Sequence, residues 1–254
     1  MSHVFVVSVD VVATKPIKWR AWKGVFSGKV VYDSLKASGL EPTSSIRVSP
    51  PEKFKGALKP GDVVKFNAYF WGEGAEEEVA ALVQGIGALE YVAPRSLEVK
   101  EVEIEEPEVR SSEEPKAVFF AVKHLPTYYR FHGAWVPLPS PSRMIYSLFR
   151  RLSEATNSSF SNEASLIATA IEAIGGRPSF ARYRIHFDEE VPAFSGTIKY
   201  YGILPTNLAD LLKWALKYLP YLGVGSSPGV GFGHVEEVKL AEPPFEAPVE
   251  PWEP

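Results

Sequence analysis

The sequence predicts an α+β protein made of two consecutive units, each with the order β-α-β-β-α-β. Three observations support this prediction. Apolar residues alternate in some segments and recur at helical spacing in others, these segments follow the same order twice, and an acidic, turn-rich stretch at 105–115 separates the two halves. Such an arrangement is typical of tandem ferredoxin-like (RRM-like) domains, which occur in RNA-binding proteins, enzymes and regulators.

The first predicted domain covers residues 1–108. In chain order we expect a strand (Val4–Val12), a basic loop (Thr14–Lys23), a helix (Ser27–Ser38), a loop rich in Pro, Ser and Lys that ends at Gly61, a strand (Val63–Trp71), a helix (Glu76–Ile86) and a strand that ends at Ile104. The acidic first turn of the second helix suits the helix dipole. One strand of the β-α-β-β-α-β pattern has no clear segment.

The second predicted domain covers residues 116–242. Its expected elements are a strand (Ala117–His124), two helices (Ser142–Glu154 and Glu163–Ile174), two strands (Ala181–Phe187 and Gly196–Leu204), a helix (Asn207–Leu219) and a closing strand (His234–Leu240). Residues 243–254 are rich in Pro and Glu, and this composition predicts a tail outside the folded units.

A glycine-rich loop joins the last helix to the closing strand. It has five glycines in eleven residues, and these are Gly223, Gly225, Gly229, Gly231 and Gly233. Glycine allows positive φ and leaves backbone N–H groups open, which suits phosphate binding. The helix-to-strand order excludes a dinucleotide fingerprint and a G-x-S-x-G nucleophile elbow, because both run from strand to helix. Gly24–Lys29 likewise lacks the spacing of a P-loop.

Composition limits the classes of protein that fit. There is no cysteine, and the five histidines lack metal-binding spacing, so neither a disulfide nor a zinc site is expected. No run of 18 apolar residues and no signal-peptide pattern occurs, which predicts a cytoplasmic chain without a membrane span. Labile residues are scarce, with two methionines and one glutamine, whereas prolines are abundant at 22. This composition is typical of heat-adapted proteins.

The net charge of −4 is unevenly distributed. Residues 1–60 carry +6 and residues 61–115 carry −10, so a phosphate near the N-terminal segment meets a positive local field. Lys15, Lys18, Arg20 and Lys23 alternate with Trp19 and Trp22, while Arg143, Arg150 and Arg151 fall in one predicted helix. Both sets are candidate RNA contacts. The alternatives are tryptophans that belong to the core and arginines on an ordinary polar face.

Several segments resemble one family. The string Leu219–Gly233 is similar to the glycine-rich loop of archaeal CRISPR repeat-RNA endoribonucleases, which belong to the repeat-associated mysterious protein superfamily. Leu125–Thr127 with Trp135–Pro139 resembles that family's proline-bounded segment, and Asp210–Leu219 resembles the helix before the loop. Ser27–Lys36 and Glu52–Gly56 are similar to the first helix and the following basic loop of crenarchaeal members.

The resemblance implies cleavage of CRISPR repeat RNA without a metal or other cofactor, as part of antiviral defence. A ribose 2′-OH attacks the adjacent phosphate and leaves a 2′,3′-cyclic phosphate and a 5′-OH. This sequence lacks the histidine that many members carry near the first helix. Members without it resemble this chain in using lysine and tyrosine, which assigns the catalytic role to Lys29, Tyr32, Lys53 and Lys55.

Repeat RNA is the expected partner, together with a CRISPR effector complex or a second copy of the chain. Two alternatives remain open. One is a non-catalytic subunit that binds repeat RNA, which the missing histidine favours. The other is a ferredoxin-like regulator or enzyme that binds a small molecule, which the acidic total charge permits.

Overall fold

The N-terminal half forms a four-stranded antiparallel sheet with two helices on one face. The computed structural model describes residues 2–54, 56–108, 112, 114–186 and 189–242. The sheet has the spatial order β3-β5-β1-β6. The elements of this half are β1 (Ser2–Ala13), β2 (Ile17–Lys18), α1 (Lys23–Ala37), β3 (Ser45–Val48), β4 (Ala57–Leu58), β5 (Val63–Trp71), α2 (Ala75–Gly85) and β6 (Val92–Ile104), with a short 3₁₀ turn at Ile86–Ala88.

The C-terminal half repeats this architecture. Its sheet has the order β10-β12-β7-β13, which is the order of the first sheet when each set of strands is counted along the chain, and β11 pairs with the first part of β12. The elements are β7 (Pro115–Thr127), β8 (Tyr129–Phe131), β9 (Ala134–Val136), α3 (Pro141–Thr156), α4 (Ser161–Ala170), β10 (Ile171–Gly176), β11 (Ser179–His186), β12 (Glu189–Pro205), α5 (Thr206–Leu222) and β13 (Val235–Ala241).

Strand alternation explains how the halves meet. In β1, Val7, Val9 and Val11 point into the core under α1 and α2. Val4 and, in β5, Trp71 belong instead to a core that also contains side chains from β7, α3 and α5. The first sheet therefore contributes apolar side chains to both cores. The α+β class with tandem ferredoxin-like units is confirmed. The exact domain limits 1–108 and 116–242 stay a prediction.

Two predicted elements differ from the structure. The strand without a clear segment is β3, a four-residue strand within the loop that was predicted to reach Gly61. The predicted helix Glu163–Ile174 is wrong in its last turn: α4 ends at Ala170, and Ile171 begins a strand that pairs with Gly202. The apolar spacing of Ile167, Ile171 and Ile174 imitates a helix, but pairing with β12 prevails.

Two further predictions concern residues outside the described ranges. Lys55 and the tail 243–254 both fall there. Within the described part of the chain, no helix has both the length and the apolar character that a membrane crossing requires.

Candidate functional site

The glycine-rich loop lies against one face of α1. Gly24 and Gly28 are one helical turn apart, and a Cβ at either position would collide with the carbonyl oxygen of Val230 or Gly229, respectively. Tyr32 is one turn further along the same face, and a Cβ at Gly229 would collide with its hydroxyl. Glycine is required on both sides because the two backbones approach so closely. The loop therefore connects the C-terminal half to the first helix.

Most of the amides predicted to bind phosphate are already hydrogen-bonded within the protein. Four loop glycines donate internally: Gly223 N to Leu219 O (2.8 Å), Gly225 N to Ser147 Oγ (2.9 Å), Gly231 N to Pro228 O (3.0 Å) and Gly233 N to Pro126 O (2.9 Å). The prediction of an open phosphate-binding nest is wrong for these four. Gly229 borders Tyr32 instead. These glycines serve close packing, and Ser226–Val230 form the partly exposed edge of the loop.

Two buried arginines hold the ends of the loop. Arg151 is 2% exposed, and its guanidinium donates to the carbonyls of Leu222 (2.5 Å) and Gly225 (2.7 Å). Burial, with the nearby charges of Arg47 and Arg150, lowers the pKa of Arg151 to about 9. It remains a cation at neutral pH. Its predicted direct contact with RNA is wrong, because the guanidinium is enclosed and committed to loop carbonyls.

Arg47, on β3, was not among the predicted site residues. It is fully buried, donates to Pro220 O (2.6 Å), lies 2.7 Å from His234 Nδ1, and stacks 3.8 Å above the ring centre of Tyr69. Burial lowers its pKa to about 10. Arg47 thus connects the first sheet to the end of α5. The sequence signal for this strand was the alternation Ile46-Arg47-Val48. The signal was missed because a charged residue in its centre also suits the polar loop around it.

Two of the four predicted catalytic side chains lie on α1. The ammonium of Lys29 forms an ion pair with Asp33 (2.6 Å) and lies 5.2 Å from the ring centre of Tyr91, whose hydroxyl also donates to Asp33 (2.7 Å). Tyr32 is 39% exposed at the edge of the loop. Burial, and then the Glu78 carboxylate, raise the pKa of Tyr32. Tyr32 is therefore protonated at neutral pH and is a hydrogen-bond donor.

Of the other two predicted catalytic residues, Lys53 lies in the loop after β3, and Lys55 falls outside the described residues. Lys53 is exposed and has a positive φ of 36°, which places its backbone in the left-handed region. Phe54 anchors this loop, since its ring lies 5.2 Å from that of Phe26 on α1. The loop carrying Lys53 is therefore attached to α1.

The basic loop before α1 contains both free and engaged cations. Lys15 pairs with Glu90 (3.3 Å), and Lys23 donates to Pro51 O (3.0 Å). Lys18 and Arg20 are exposed. These two are the members of the set best placed to meet a phosphate.

The two tryptophans of the basic loop pack against the protein. Trp19 contacts Phe26 edge-on, and Trp22 packs against Tyr183 and Phe232. Both indoles are partly buried and pack against core residues, which favours the core alternative for these two tryptophans. Trp22 N also donates to Arg184 O (2.6 Å), which attaches this loop to β11.

The buried histidines are held in the neutral form. Burial lowers the pKa of His124 to about 3, and burial together with Arg47 lowers that of His234 well below its ordinary value. His132 is exposed in the turn between β8 and β9, and His3 lies 4.0 Å from Glu101. The side chain of His186 is outside the described set. α1 itself contains no histidine.

Two sheets of the same strand order, linked by a glycine-rich loop that packs on the first helix, define the class of tandem ferredoxin-like α+β proteins. The family model of the CRISPR-associated endoribonuclease Cas6 matches residues 123–235, which include most of the second sheet and the entire loop. This match agrees with the resemblance of the glycine-rich loop to CRISPR repeat-RNA endoribonucleases.

Solved structures share the fold over nearly the whole chain. A product complex of Thermus thermophilus Cas6 is 17% identical with a TM-score of 0.68, and the match covers 92% of this chain and 99% of that one. A second Cas6, in complex with a substrate mimic, is 16% identical with a TM-score of 0.65, covering 95% and 100%. A chain of a Cas6-RT-Cas1–Cas2 complex is 12% identical with a TM-score of 0.59, covering 100% and 30%. No curated protein sequence matches the chain.

Proposed function

We propose that the protein is an endoribonuclease that processes CRISPR RNA by cutting the repeats of precursor transcripts. The observation that carries this proposal is the family match over residues 123–235. The fold supports it, because structures with the same architecture were solved as Cas6 complexes with a product and with a substrate mimic.

The chemistry that we propose is an internal transesterification that needs no metal. The 2′-oxygen of one ribose attacks the adjacent phosphorus, and its proton passes to a base or to water. The bond to the 5′-oxygen breaks, and that oxygen receives a proton, which leaves a 2′,3′-cyclic phosphate and a 5′-OH. The enzyme aligns the attacking oxygen, stabilises charge on the phosphorane and supplies the proton.

We assign to Tyr32 the role of donating the proton to the leaving 5′-oxygen. Its hydroxyl lies at the junction of α1 and the glycine loop, and its raised pKa keeps the proton available at neutral pH. Lys53 and Lys55 would contribute positive charge from the adjoining loop. Lys29 is a weaker candidate, because Asp33 already compensates its charge. We therefore propose that Lys29 positions α1 side chains or acts only after its ion pair opens.

We also propose a path for the RNA. Lys18 and Arg20 would carry most of the binding of the basic loop, with weaker contributions from Lys15 and Lys23, whose ammonium groups already have partners. Arg143 and Arg150, on α3, would bind RNA on the other side of the glycine loop. A CRISPR complex or a second copy of the chain remains a proposed partner, and one similar chain was solved in a Cas6-RT-Cas1–Cas2 complex.

A second candidate function is repeat-RNA binding without cleavage. Two observations favour it, namely the absence of histidine from α1 and the compensated charge of Lys29. Wild-type protein that binds repeat RNA but leaves it intact would support this second function over the first.

The Tyr32→Phe variant tests the proposed site. Loss of one donor to the transition state should slow single-turnover cleavage by roughly 10²–10³ with little change in RNA affinity. Tyr201→Phe, in β12, is a matched control and should cleave at the wild-type rate. Cleavage by Tyr32→Phe at the wild-type rate would contradict the assignment and direct attention to Lys53, Lys55 and the exposed His132.

A further inference from the structure

A basic pocket lies between the glycine loop and two elements of the C-terminal half, β8 and α3. It has a volume of about 240 Å³ and is lined by Arg130 from β8, by Arg143, Tyr146 and Arg150 from α3, and by the loop edge at Ser226. None of the described residues that line it is acidic. Small-molecule sites usually enclose roughly 300–1,000 Å³. A pocket of this size therefore suits a single nucleotide unit better than a complete cofactor.

Two of the three cations of this pocket, Arg143 and Arg150, contact neighbouring side chains. Arg143 stacks 4.6 Å from the ring centre of Phe131, which lies next to Arg130 in β8. Arg150 pairs with Glu154 one turn away at 3.6 Å; this pair is longer and more exposed than the Lys29–Asp33 pair, so a phosphate can replace the carboxylate. Three arginines around one small opening make a strong site for a phosphate, because guanidinium groups bind phosphate oxygens in a planar, bidentate manner.

The same pocket presents an aromatic surface. Tyr146 is 47% exposed, and its hydroxyl is fixed by Ser165 Oγ (3.2 Å) at the far end of the ring. The ring is thus oriented and still open. Unpaired RNA bases bind on such rings, because stacking requires only an accessible face.

The wall of the pocket is the glycine loop itself. Ser147 Oγ accepts from Gly225 N, and Arg151 donates to Gly225 O, so this end of the loop is held on two sides. Gly229, four residues further along the loop, borders Tyr32. Four extended residues span at most about 14 Å. One RNA strand can therefore reach both the pocket and Tyr32.

We propose that this pocket holds one unpaired nucleotide of the RNA substrate, with its phosphate between Arg130, Arg143 and Arg150 and its base against Tyr146. The inference rests on the proposed function for the identity of the RNA. It adds two recognition residues, Arg130 and Tyr146, and assigns separate contacts to phosphate and base.

Binding of a short single-stranded fragment of the repeat tests the inference by fluorescence anisotropy at several salt concentrations. The Arg143→Ala/Arg150→Ala variant should raise Kd at least tenfold and reduce the slope of log K against log salt by about 0.7, since the pocket contacts one phosphate and each lost single-strand phosphate contact removes about 0.7. Tyr146→Leu should raise Kd roughly tenfold without changing the slope, and Tyr146→Trp should restore affinity. Arg95→Ala/Lys100→Ala, on β6, removes the same charge outside the pocket and should leave Kd near that of wild type.

Three outcomes would overturn the inference. The first is an equal loss of affinity in the pocket and control variants, which would indicate a general charge effect. The second is wild-type affinity in Tyr146→Leu with a melting temperature that shows it is folded. The third is competition by inorganic phosphate as strong as that by the oligonucleotide, which would indicate a site for a free anion. The assay requires no cleavage, so an inactive wild-type protein would contradict the proposed function and still allow this test.

Discussion

Arg150 and Arg151 are neighbours in sequence with different roles in the structure. Arg150 is exposed beside the basic pocket, whereas Arg151 is enclosed and donates to two loop carbonyls. Grouping them by charge predicted one RNA-binding stripe. Helical spacing distinguishes the two arginines in the sequence, because Arg151 falls on the same helix face as the apolar residues Leu148, Leu152 and Ala155 and Arg150 does not. The carbonyl partners of Arg151 could not be predicted, since they depend on where a distant loop returns to the helix.

Removal of these two side chains should therefore change stability by very different amounts. Arg151→Ala leaves the buried carbonyls of Leu222 and Gly225 without a donor, and we expect it to lower the free energy of unfolding by about 3 kcal/mol. Arg150→Ala should change it by less than about 0.5 kcal/mol, as for other exposed positions. Urea denaturation of both variants measures the difference. Similar stabilities would contradict the role given to Arg151.

The packing of α1 against the glycine loop is the contact between elements that defines the site. Strand β5 was predicted correctly over Val63–Trp71, because apolar and polar residues alternate from Val64 to Ala68 and an apolar run follows. The contact itself was not predicted. Gly24 and Gly28 were considered as a phosphate loop and excluded by their spacing, and their actual role requires a partner backbone that lies about 200 residues further along the chain. Such pairing is not encoded in local periodicity.

Substitution at Gly28 separates packing from helix propensity. Alanine normally favours a helix over glycine by about 1 kcal/mol. Here its Cβ would collide with Gly229 O, so we expect Gly28→Ala to destabilise the protein by about 1–3 kcal/mol and to reduce cleavage. Gly87→Ala is the control, because no atom lies within 4 Å of its Cβ. Thermal unfolding in which Gly28→Ala is as stable as wild type would refute the close packing.

Across the whole molecule, charge is separated between the segments. The +6 of residues 1–60 and the −10 of residues 61–115 were visible in the sequence, and the structure shows which cations are free. Glu90 lies in the acidic segment and pairs with Lys15, so part of the basic loop is compensated by that segment. Sequence alone could not distinguish Lys15 from Lys18, because the pairing depends on the turn before β6.

The free cations of the basic loop should therefore dominate its contribution to RNA binding. We expect Lys18→Ala/Arg20→Ala to reduce the salt slope of repeat-RNA binding by about 1.4, at about 0.7 for each phosphate contact. Lys15→Ala/Lys23→Ala removes the same charge and should have a smaller effect. Filter binding across a salt series compares the two. Equal slopes in both double variants would contradict this division.

Cleavage of a repeat RNA with a single 2′-deoxy nucleotide, in the presence of EDTA, tests the proposed activity most directly. Internal attack requires the 2′-OH upstream of the scissile bond and no metal. The unmodified repeat should be cut at one position and yield a 2′,3′-cyclic phosphate, while the 2′-deoxy repeat should bind with similar affinity and remain intact. Cleavage of the 2′-deoxy repeat, or loss of all cleavage in EDTA that Mg²⁺ restores, would contradict the proposed chemistry.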